Sequence, residues 1–365
     1  MVGTEAWMLR RRVLSLFLLA ALAPLAAQDA FQGVKRIVAV GDVHGGFEEM
    51  VAILRGAGVI NPKNKWAGGK THLVQTGDVV DRGPDSRKVM DLLMDLEKQA
   101  KRAGGMVHPL FGNHEAMNIY GDLRYVSSEE YDSYRRSDAA GIRDAYFNDV
   151  VEALKSAGQA PPVIDDAFRK KFDDEHPLGW VEHRVAFGPK GDYGKWLLKH
   201  DTVVKINDVI FLHGGISPKY AATTSQQFND TVRLEMSDLA KVENGMGIDP
   251  LGPLWYRGLA EDPEAGLAAH VDQVLQFHGV KHIVIGHTPT LGVVLPRFGG
   301  KVIMIDVGLS KSYGSNPACL VIDGGKFFAW HRGKLLDLPV DGADISAYLK
   351  AAGIANGKTS GKQEP

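Results

Sequence analysis

The chain is poor in cysteine and has almost no excess of charge of either sign. Its 365 residues include a single cysteine, Cys319, so an intrachain disulfide, a zinc–cysteine site and a CxxC redox motif are all excluded. The 42 basic and 44 acidic side chains give a formal net charge of −2, which offers no broad basic face for a nucleic acid. With 44% hydrophobic and 24% charged residues, the composition is typical of a soluble globular protein.

Long apolar runs are also scarce, and the run near the amino terminus, Val13–Ala23, is well short of the ~20 residues that cross a bilayer as a helix. It follows three arginines at 10–12 and leads through small residues to Gln28, which is the layout of a secretory signal. We therefore predict a signal peptide over 1–27, with cleavage after Ala27. The mature protein would be periplasmic or secreted, with no stable membrane anchor. An uncleaved anchor and a buried helix are the alternative interpretations.

A β-rich run followed by a glycine-containing motif occurs five times along the chain. The motifs, in order, are GDVHGG, GDVVDRG, GNHE, HGG and GHTP. They follow the runs Lys35–Val40, Thr71–Thr76, Met106–Phe111, Asp208–Leu212 and His282–Ile285. Helical patterns, Glu48–Gly56 and Asp85–Ala103, separate the first three motifs, as in βαβ units of about 30 residues. Because polar residues at the carboxyl ends of such strands converge, we expect a site at one edge of a sheet.

Residues 116–198 interrupt this rhythm, since they are polar and rich in Tyr, Arg and Asp. They predict a helical insertion that caps the site, and a purely structural subdomain is the alternative. We predict that the domain containing this insertion spans 34–340. The polar segment 353–365 has the composition of a disordered tail.

The five motifs together carry six side chains that could bind metal ions. They are Asp42, His44, Asp78, Asn113, His213 and His287. Each motif alone is more typical of a turn with a capping aspartate, but the ordered set favours metal binding. All six donors are oxygen or imidazole nitrogen, which suits Mn, Fe or Zn in a two-metal centre rather than a structural zinc site. Asp78 is the natural bridge, because one carboxylate can bind two ions ~3.5–4 Å apart.

The same motifs resemble the phosphoprotein phosphatase family of calcineurin-like metallophosphoesterases. The runs GNHEAMNIYGDLRYV and GPLWYRG are most similar to the Shewanella-like phosphatases within that family. The resemblance covers about residues 35–335, and it implies an α/β (α+β) fold with a central β-sandwich flanked by helices. It also implies a dinuclear Mn/Fe-type centre that hydrolyses phosphomonoesters. Carried over by motif, the first metal takes Asp42, His44 and Asp78, and the second takes Asp78, Asn113, His213 and His287.

Four further residues are candidates for catalysis. His114 is the candidate proton donor to the leaving group, and Asp81 would orient it through a charge-assisted hydrogen bond. Arg82 and Arg257 are the candidate phosphate clamps, because a guanidinium offers two parallel donors to two phosphate oxygens. His200 precedes a β-rich segment, so we also considered it as a third metal-side histidine.

The function that these observations favour is an exported, metal-dependent phosphoprotein phosphatase. The resemblance to the Shewanella-like enzymes favours phosphotyrosine over phosphoserine, and the substrate would be a phosphorylated protein or a small phosphomonoester. A symmetrical dinucleoside tetraphosphatase, a broad phosphate-scavenging phosphomonoesterase and a binding module without turnover are the alternatives. The carboxy-terminal tyrosine motif of eukaryotic serine/threonine phosphatases has no close match, and Ser310 and Tyr313 are the residues expected in that neighbourhood.

Overall fold

Two six-stranded mixed sheets form the centre of the computed structural model, which describes residues 30–156 and 163–353. The predicted signal peptide, 1–27, lies outside the described residues, as does the predicted tail after Gly353. The expected fold class, a mixed α/β fold with two central sheets flanked by helices, is confirmed.

The strands of the described ranges are short and follow the β-rich runs of the sequence. In chain order they are β1 (Ala30–Phe31), β2 (Arg36–Val40), β3 (His72–Gln75), β4 (Met106–Pro109), β5 (Val203–Ile206), β6 (Val209–Leu212), β7 (His282–Ile285), β8 (Leu295–Arg297), β9 (Val302–Met304), β10 (Ala318–Asp323), β11 (Lys326–His331) and β12 (Lys334–Asp337). One sheet has the order β12-β11-β10-β2-β3-β4, and the other has the order β1-β5-β6-β7-β9-β8.

The helices of the same ranges fall into two groups, those that connect strands and those of the insertion. They are α1 (Phe47–Gly56), α2 (Ser86–Ala103), α3 (Asn113–Tyr120), α4 (Ser128–Tyr134), α5 (Ala139–Ser156), α6 (Asp166–Glu175), α7 (Trp180–Phe187), α8 (Asp192–Leu197), α9 (Ser225–Ser237), α10 (Gly258–Glu261), α11 (Glu264–His278) and α12 (Ser346–Ala351). The described residues 116–156 and 163–198 hold α4 to α8 and most of α3; that they cap the site stays a prediction. No helix of the described ranges is both long and apolar enough to span a membrane.

The central strands are apolar on both faces because the sheets are covered on both sides. Strand β2 is paired in parallel with β3, with Val38 opposite Leu73, and antiparallel with β10. Residues Val38 and Leu73 belong to the same buried cluster as Phe211 and Val284 of the other sheet. Continuous apolar strands of this kind are expected where both faces of a sheet are buried. A shared core therefore joins the two sheets.

This arrangement brings the five motifs to one edge of the sheets. Strands β2, β3 and β4 run parallel, and each leads through a motif into a helix: α1, α2 and α3. Strands β6 and β7 are also parallel and end at Leu212 and Ile285, directly before the HGG and GHTP motifs. The polar residues that follow the parallel strands therefore meet, as βα topology requires.

Two elements outside the predicted 34–340 span pack onto the domain. Strand β1 pairs with β5. Helix α12 buries Tyr348, whose hydroxyl donates a hydrogen bond to the Val294 carbonyl at 2.6 Å. The packed body of the chain therefore runs from β1 to α12.

Candidate metal centre

The backbone of the motif loops takes conformations that side chains rarely adopt. Eleven non-glycine residues of the described ranges have positive φ angles, and five of them belong to the predicted site. These five are His44 (45°), Asp78 (57°), Asp81 (69°), Arg82 (64°) and His287 (66°). Such conformations cost about 1–3 kcal/mol each and cluster at functional sites, where the surrounding structure enforces them. The strain is thus concentrated at the residues that the motifs single out.

Two groups of buried side chains could each hold a metal ion, and they share one carboxylate. Asp78, His44 and His114 form the first group, and Asp78, His213 and His287 form the second, with the ligand atoms of each group within 4.8 Å of one another. A carboxylate common to both groups is what a bridged two-metal centre requires. The position of Asp78 agrees with its predicted bridging role.

Backbone carbonyls determine which ring nitrogen of each candidate histidine ligand is free. The pairs are His44 Nδ1 with Val80 O (2.9 Å), His213 Nδ1 with Thr76 O (2.8 Å) and His287 Nε2 with Trp255 O (3.1 Å). Because a carbonyl only accepts, the nitrogen in each pair must donate, and the opposite nitrogen keeps its lone pair. Outer contacts of this kind orient histidine ligands in metal sites.

Acceptor atoms converge in the second group without a donor between them. His213 Nε2 lies 3.3 Å from the Asp78 carboxylate and 2.8 Å from Asn113 Oδ1. When the His213 ring carries a single proton, that proton is on Nδ1, which faces the Thr76 carbonyl, and the Nε2 lone pair faces these two oxygens. A cation satisfies such an arrangement, so these residues fit a metal ion.

Asp42 lies beside the two groups rather than within the first of them. Its carboxylate accepts the His287 N–H at 3.1 Å and comes within 3.9 Å of His213 Nδ1. In the compact first group, His114 occupies the place that the sequence assigned to Asp42. All six predicted ligands are nonetheless buried at the same edge of the sheets.

The loop that carries Asp78 is held by a residue to which the sequence analysis gave no role. The fully buried Glu115 accepts hydrogen bonds from the N–H groups of Asp78 (2.7 Å), Val79 (2.8 Å) and Gly112 (2.9 Å). Glu115 ends the GNHE motif, and that place in the motif was the signal that could have identified it.

His114 and Asp81 are paired as predicted. His114 Nδ1 lies 2.6 Å from the Asp81 carboxylate, so Nε2 is directed towards Asp78 at 3.8 Å. Asn118, which was not predicted, donates to both Asp81 Oδ1 and the His114 carbonyl at 2.9 Å. Its position one turn after His114 on α3 is the signal that could have revealed it. A buried carboxylate and a buried amide together fix the orientation of the His114 ring.

The two predicted phosphate clamps are oriented without carboxylate partners among the described residues. The Arg82 guanidinium carbon lies 4.4 Å from the centre of the Tyr125 ring and 5.4 Å from that of Tyr313. Arg257 Nη1 donates to the His287 carbonyl at 2.7 Å and to the Thr288 hydroxyl at 3.1 Å. Arg257 is thereby held at the second metal group, and both guanidinium groups keep positive charge for an anion.

His200 does not belong to this centre. Its Nε2 lies 3.4 Å from the Glu97 carboxylate, and its ring packs against Trp196. Neither metal-binding group includes it. The hypothesis that His200 is a third metal-side histidine is therefore wrong, because the chain turns before β5 and directs this side chain towards α2.

Burial and like charge shape the electrostatics of the centre. Burial, together with the nearby Asp306 and Asp78, raises the pKa of Asp42 well above its usual value. Burial lowers the pKa of His44 to about 3, so its ring is neutral and able to bind a metal. Burial also opposes protonation of His114, but Asp78 and Asp81 outweigh it and raise the pKa of that ring. The clustered carboxylates therefore favour positive charge.

Comparisons with known proteins agree with this geometry. Residues 35–291 match the model of the family described as "Calcineurin-like phosphoesterase". An uncharacterised protein of Schizosaccharomyces pombe is 31% identical over 83% of this chain and 82% of its own length. Shewanella-like protein phosphatase 2 of Arabidopsis thaliana is 30% identical over 78% of this chain and 74% of its own.

A solved structure is also similar over most of its length. The cold-active protein-tyrosine phosphatase of a psychrophilic Shewanella species is 30% identical, with a TM-score of 0.66, and the match covers 85% of this chain and 82% of that one. The resemblance inferred from the motifs is thus confirmed. The chain belongs to the calcineurin-like phosphoesterase family, whose members hydrolyse phosphate esters at a dinuclear metal centre.

Proposed function

We propose that the chain is a protein phosphatase that acts on phosphotyrosine and uses two Mn or Fe ions. The observation that carries the substrate class is the aromatic rim of the metal centre, formed by Tyr125, Tyr313 and Trp255. The similarity to Shewanella-like protein phosphatase 2 supports a protein phosphatase, and the similarity to a cold-active protein-tyrosine phosphatase supports the phosphotyrosine class. The donor set, which lacks thiolate and is rich in carboxylate and imidazole, supports Mn or Fe and also admits Zn.

The metal ions would be held by the six predicted ligands around the shared Asp78. Two divalent cations supply Lewis acidity, which lowers the pKa of a water and offsets the charge of the phosphate. Arg82 and Arg257 bind the phosphate oxygens and orient the ester for in-line attack. Their fixed positions, between two tyrosine rings and on the His287 carbonyl, reduce the motion lost on binding.

His114 holds the proton that the leaving oxygen needs. Its Nδ1 is bonded to Asp81, so the proton for transfer resides on Nε2, which is directed towards Asp78. The raised pKa of His114 keeps that proton available. Asp81 and Asn118 act through His114 by fixing its ring orientation.

The aromatic rim supplies walls for a phenyl ring. The ring centre of Tyr125 lies 5.0 Å from that of His114. The ring centre of Tyr313 lies 5.6 Å from that of His44, and Trp255 lies 6.1 Å from His287. Aromatic pairs at such separations contribute ~0.5–1.5 kcal/mol beyond area burial. A cavity of about 320 Å³ opens beside Arg82 and has room for the residues that flank a phosphotyrosine.

The test measures kcat/KM with Mn²⁺ on a phosphotyrosine peptide, a matched phosphoserine peptide and diadenosine tetraphosphate. We expect a preference of ~100-fold for phosphotyrosine, which corresponds to about 2.7 kcal/mol of differential transition-state binding. Tyr125→Ala should lower kcat/KM on the phosphotyrosine peptide by about tenfold, whereas Tyr125→Phe, which keeps the ring, should not. Preference for phosphoserine would refute the residue class. Preference for the dinucleotide would favour a dinucleoside tetraphosphatase. No preference among the three substrates would favour a phosphate-scavenging enzyme.

We also propose that the protein is exported, on the strength of the basic, apolar and small-residue layout of residues 10–28. The expected mature amino terminus is Gln28. Expression in a bacterial host, followed by fractionation and mass determination of the mature chain, tests this. A full-length chain in the cytoplasm would contradict export without affecting the proposed chemistry.

A further inference from the structure

A buried aspartate outside the five motifs lies against the metal centre. Asp306 follows β9, is 2% exposed and contacts the carboxyl group of Asp42. The backbone explains this approach, because a Cβ atom at Gly41 would lie 2.1 Å from the Ile305 carbonyl oxygen and 2.8 Å from the Asp306 nitrogen. A glycine before Asp42 thus allows two chain segments from different sheets to touch, and this contact places the two carboxyl groups side by side.

The hydrogen-bond partners of Asp306 carry no positive charge. Its Oδ1 accepts the Gly308 N–H at 3.0 Å, and its carbonyl accepts the Thr290 N–H at 2.8 Å. Among the described residues no lysine or arginine forms an ion pair with Asp306 or Asp42, although ion pairs involving other aspartates are numerous. Two adjacent buried carboxylates require a proton or a cation.

The two predicted metal positions differ in the number of protein ligands. The second metal position has four protein ligands, whereas the first has three: Asp42, His44 and Asp78. Asp42 is also the ligand whose carboxylate is shared with the His287 N–H. By ligand count the first position is therefore the weaker of the two, and Asp306 adds negative charge beside Asp42, one of its three predicted ligands.

We propose that Asp306 is a component of the metal centre, an acidic partner of Asp42 that raises the affinity of the first metal position. This inference rests on the predicted ligand set and goes beyond the proposed function, because the family resemblance assigns no role to Asp306. The cation neutralises the carboxylate pair, and this relief of like charge adds to its binding energy. Residues just outside the ligands of a metal typically contribute 10–100-fold to metal affinity.

The experiment titrates the metal-free protein with Mn²⁺ and follows free Mn²⁺ by electron paramagnetic resonance and heat by calorimetry. The wild type should bind two ions. Asp306→Asn keeps the size of the side chain and an oxygen for the Gly308 N–H, so it should weaken one position by about 10–100-fold and leave the other within about threefold. Asp337→Asn, an exposed change on β12, is the matched control and should bind like the wild type.

Thermal unfolding of the metal-free variants separates metal binding from folding. Asp306→Asn removes a buried like-charge contact, so the metal-free protein should be at least as stable as the wild type but gain less stability from Mn²⁺. If Asp306→Asn bound Mn²⁺ at both positions as tightly as the wild type does, the proposal would be overturned. The same holds if the variant were less stable but its affinity for Mn²⁺ were unchanged. A wild type that binds two ions but hydrolyses no phosphopeptide would contradict the proposed function and leave the role of Asp306 intact.

Discussion

The metal centre and the helical insertion both bury polar side chains, but they stabilise them differently. In the centre, Glu115 accepts four backbone N–H bonds, and each candidate histidine ligand donates to a carbonyl. In the insertion, Glu130 and His183 are 0% exposed; within the described part of the chain neither side chain forms a hydrogen bond of ordinary geometry, and their closest atoms are 3.9 Å apart. Glu130 faces the Ser86 side chain and the Asp81 backbone. Backbone contacts thus hold much of the centre, whereas packing holds the buried polar groups of the insertion.

This difference has a consequence for tolerance to mutation. Replacing a ligand such as His213, whose loop is held by backbone contacts, removes the chemistry while the loop keeps its shape. A buried polar group fixed by rings, as His183 is by Tyr131 and Tyr134, destabilises the fold by its presence. Substitutions in the centre should therefore affect rate more than stability, and substitutions in the insertion should do the reverse.

The largest effect on rate is expected for Asp78→Asn. An amide lacks the charge to bridge two ions, so metal analysis should find less than two Mn²⁺ per chain. The loss in kcat/KM should exceed the ~10²–10⁴-fold that removal of an acid–base group costs. Asp149→Asn, an exposed change on α5, is the matched control in the insertion. Wild-type metal content and rate in Asp78→Asn would contradict the bridged centre.

The next effect is that of His114→Asn, which depends on the leaving group. On an alkyl phosphate such as a phosphoserine peptide, kcat should fall by about 10²–10⁴-fold, since the alkoxide must be protonated. On an aryl phosphate with an acidic phenol the loss should be much smaller. Metal content should stay at the wild-type level. An equal loss on both substrates would show that His114 acts through another step.

Much of the metal centre could be predicted from the sequence, because each short motif reflects the backbone conformation that its loop must adopt. The chain bends sharply at His44, Asp78 and His287, and the glycines beside them mark these bends. The same motifs predicted strands β2, β3 and β7 to within one or two residues of their ends. The order of the motifs along the chain also predicted that the ligands meet at one edge, because the carboxyl ends of parallel strands lie at the same edge of a sheet.

Other features depend on contacts between distant residues and carry no local pattern. Asp306 meets Asp42 across 264 positions because β9 lies beside β7 and Gly41 lacks a side chain. Glu130 and His183 meet because α4 packs on α7. His200 was considered a ligand because of its place before a strand, and the turn that directs it towards Glu97 has no signature in the sequence. Residue type alone does not identify partners of this kind.

A stability effect is expected for Glu130→Gln in the insertion. Burial raises the pKa of Glu130 well above its usual value, so its protonated form is favoured in the folded state. Stability is then full below the unfolded pKa of ~4.3 and declines as the pH rises towards the folded pKa. The variant should be more stable than the wild type by about 1–3 kcal/mol at pH 8 and indistinguishable from it near pH 4.

Chemical denaturation of the metal-free proteins at several pH values measures this difference. Asp132→Asn, on the exposed side of the same helix, is the control and should not change the slope with pH. The neighbouring His183 has the opposite dependence, because burial lowers its pKa to about 3 and stability is lost as the pH falls below ~6.5. A Glu130→Gln variant less stable than the wild type at pH 8 would mean that the carboxylate is stabilising.

The smallest effect is expected where the two regions touch. Arg184 of α7 donates to the carbonyls of Asn118 and Ile119 at the end of α3, and Asn118 in turn holds Asp81 and His114. Arg184→Gln should lower kcat by about tenfold or less with KM nearly unchanged, because a loosened α3 misorients the proton donor without weakening phosphate binding. Arg135→Gln, an exposed change on the same insertion, is the control for both kinetics and melting temperature. If Arg184→Gln lowered the melting temperature but left kcat unchanged, the insertion would support the fold alone. The centre would then serve only the chemistry and the insertion only the packing.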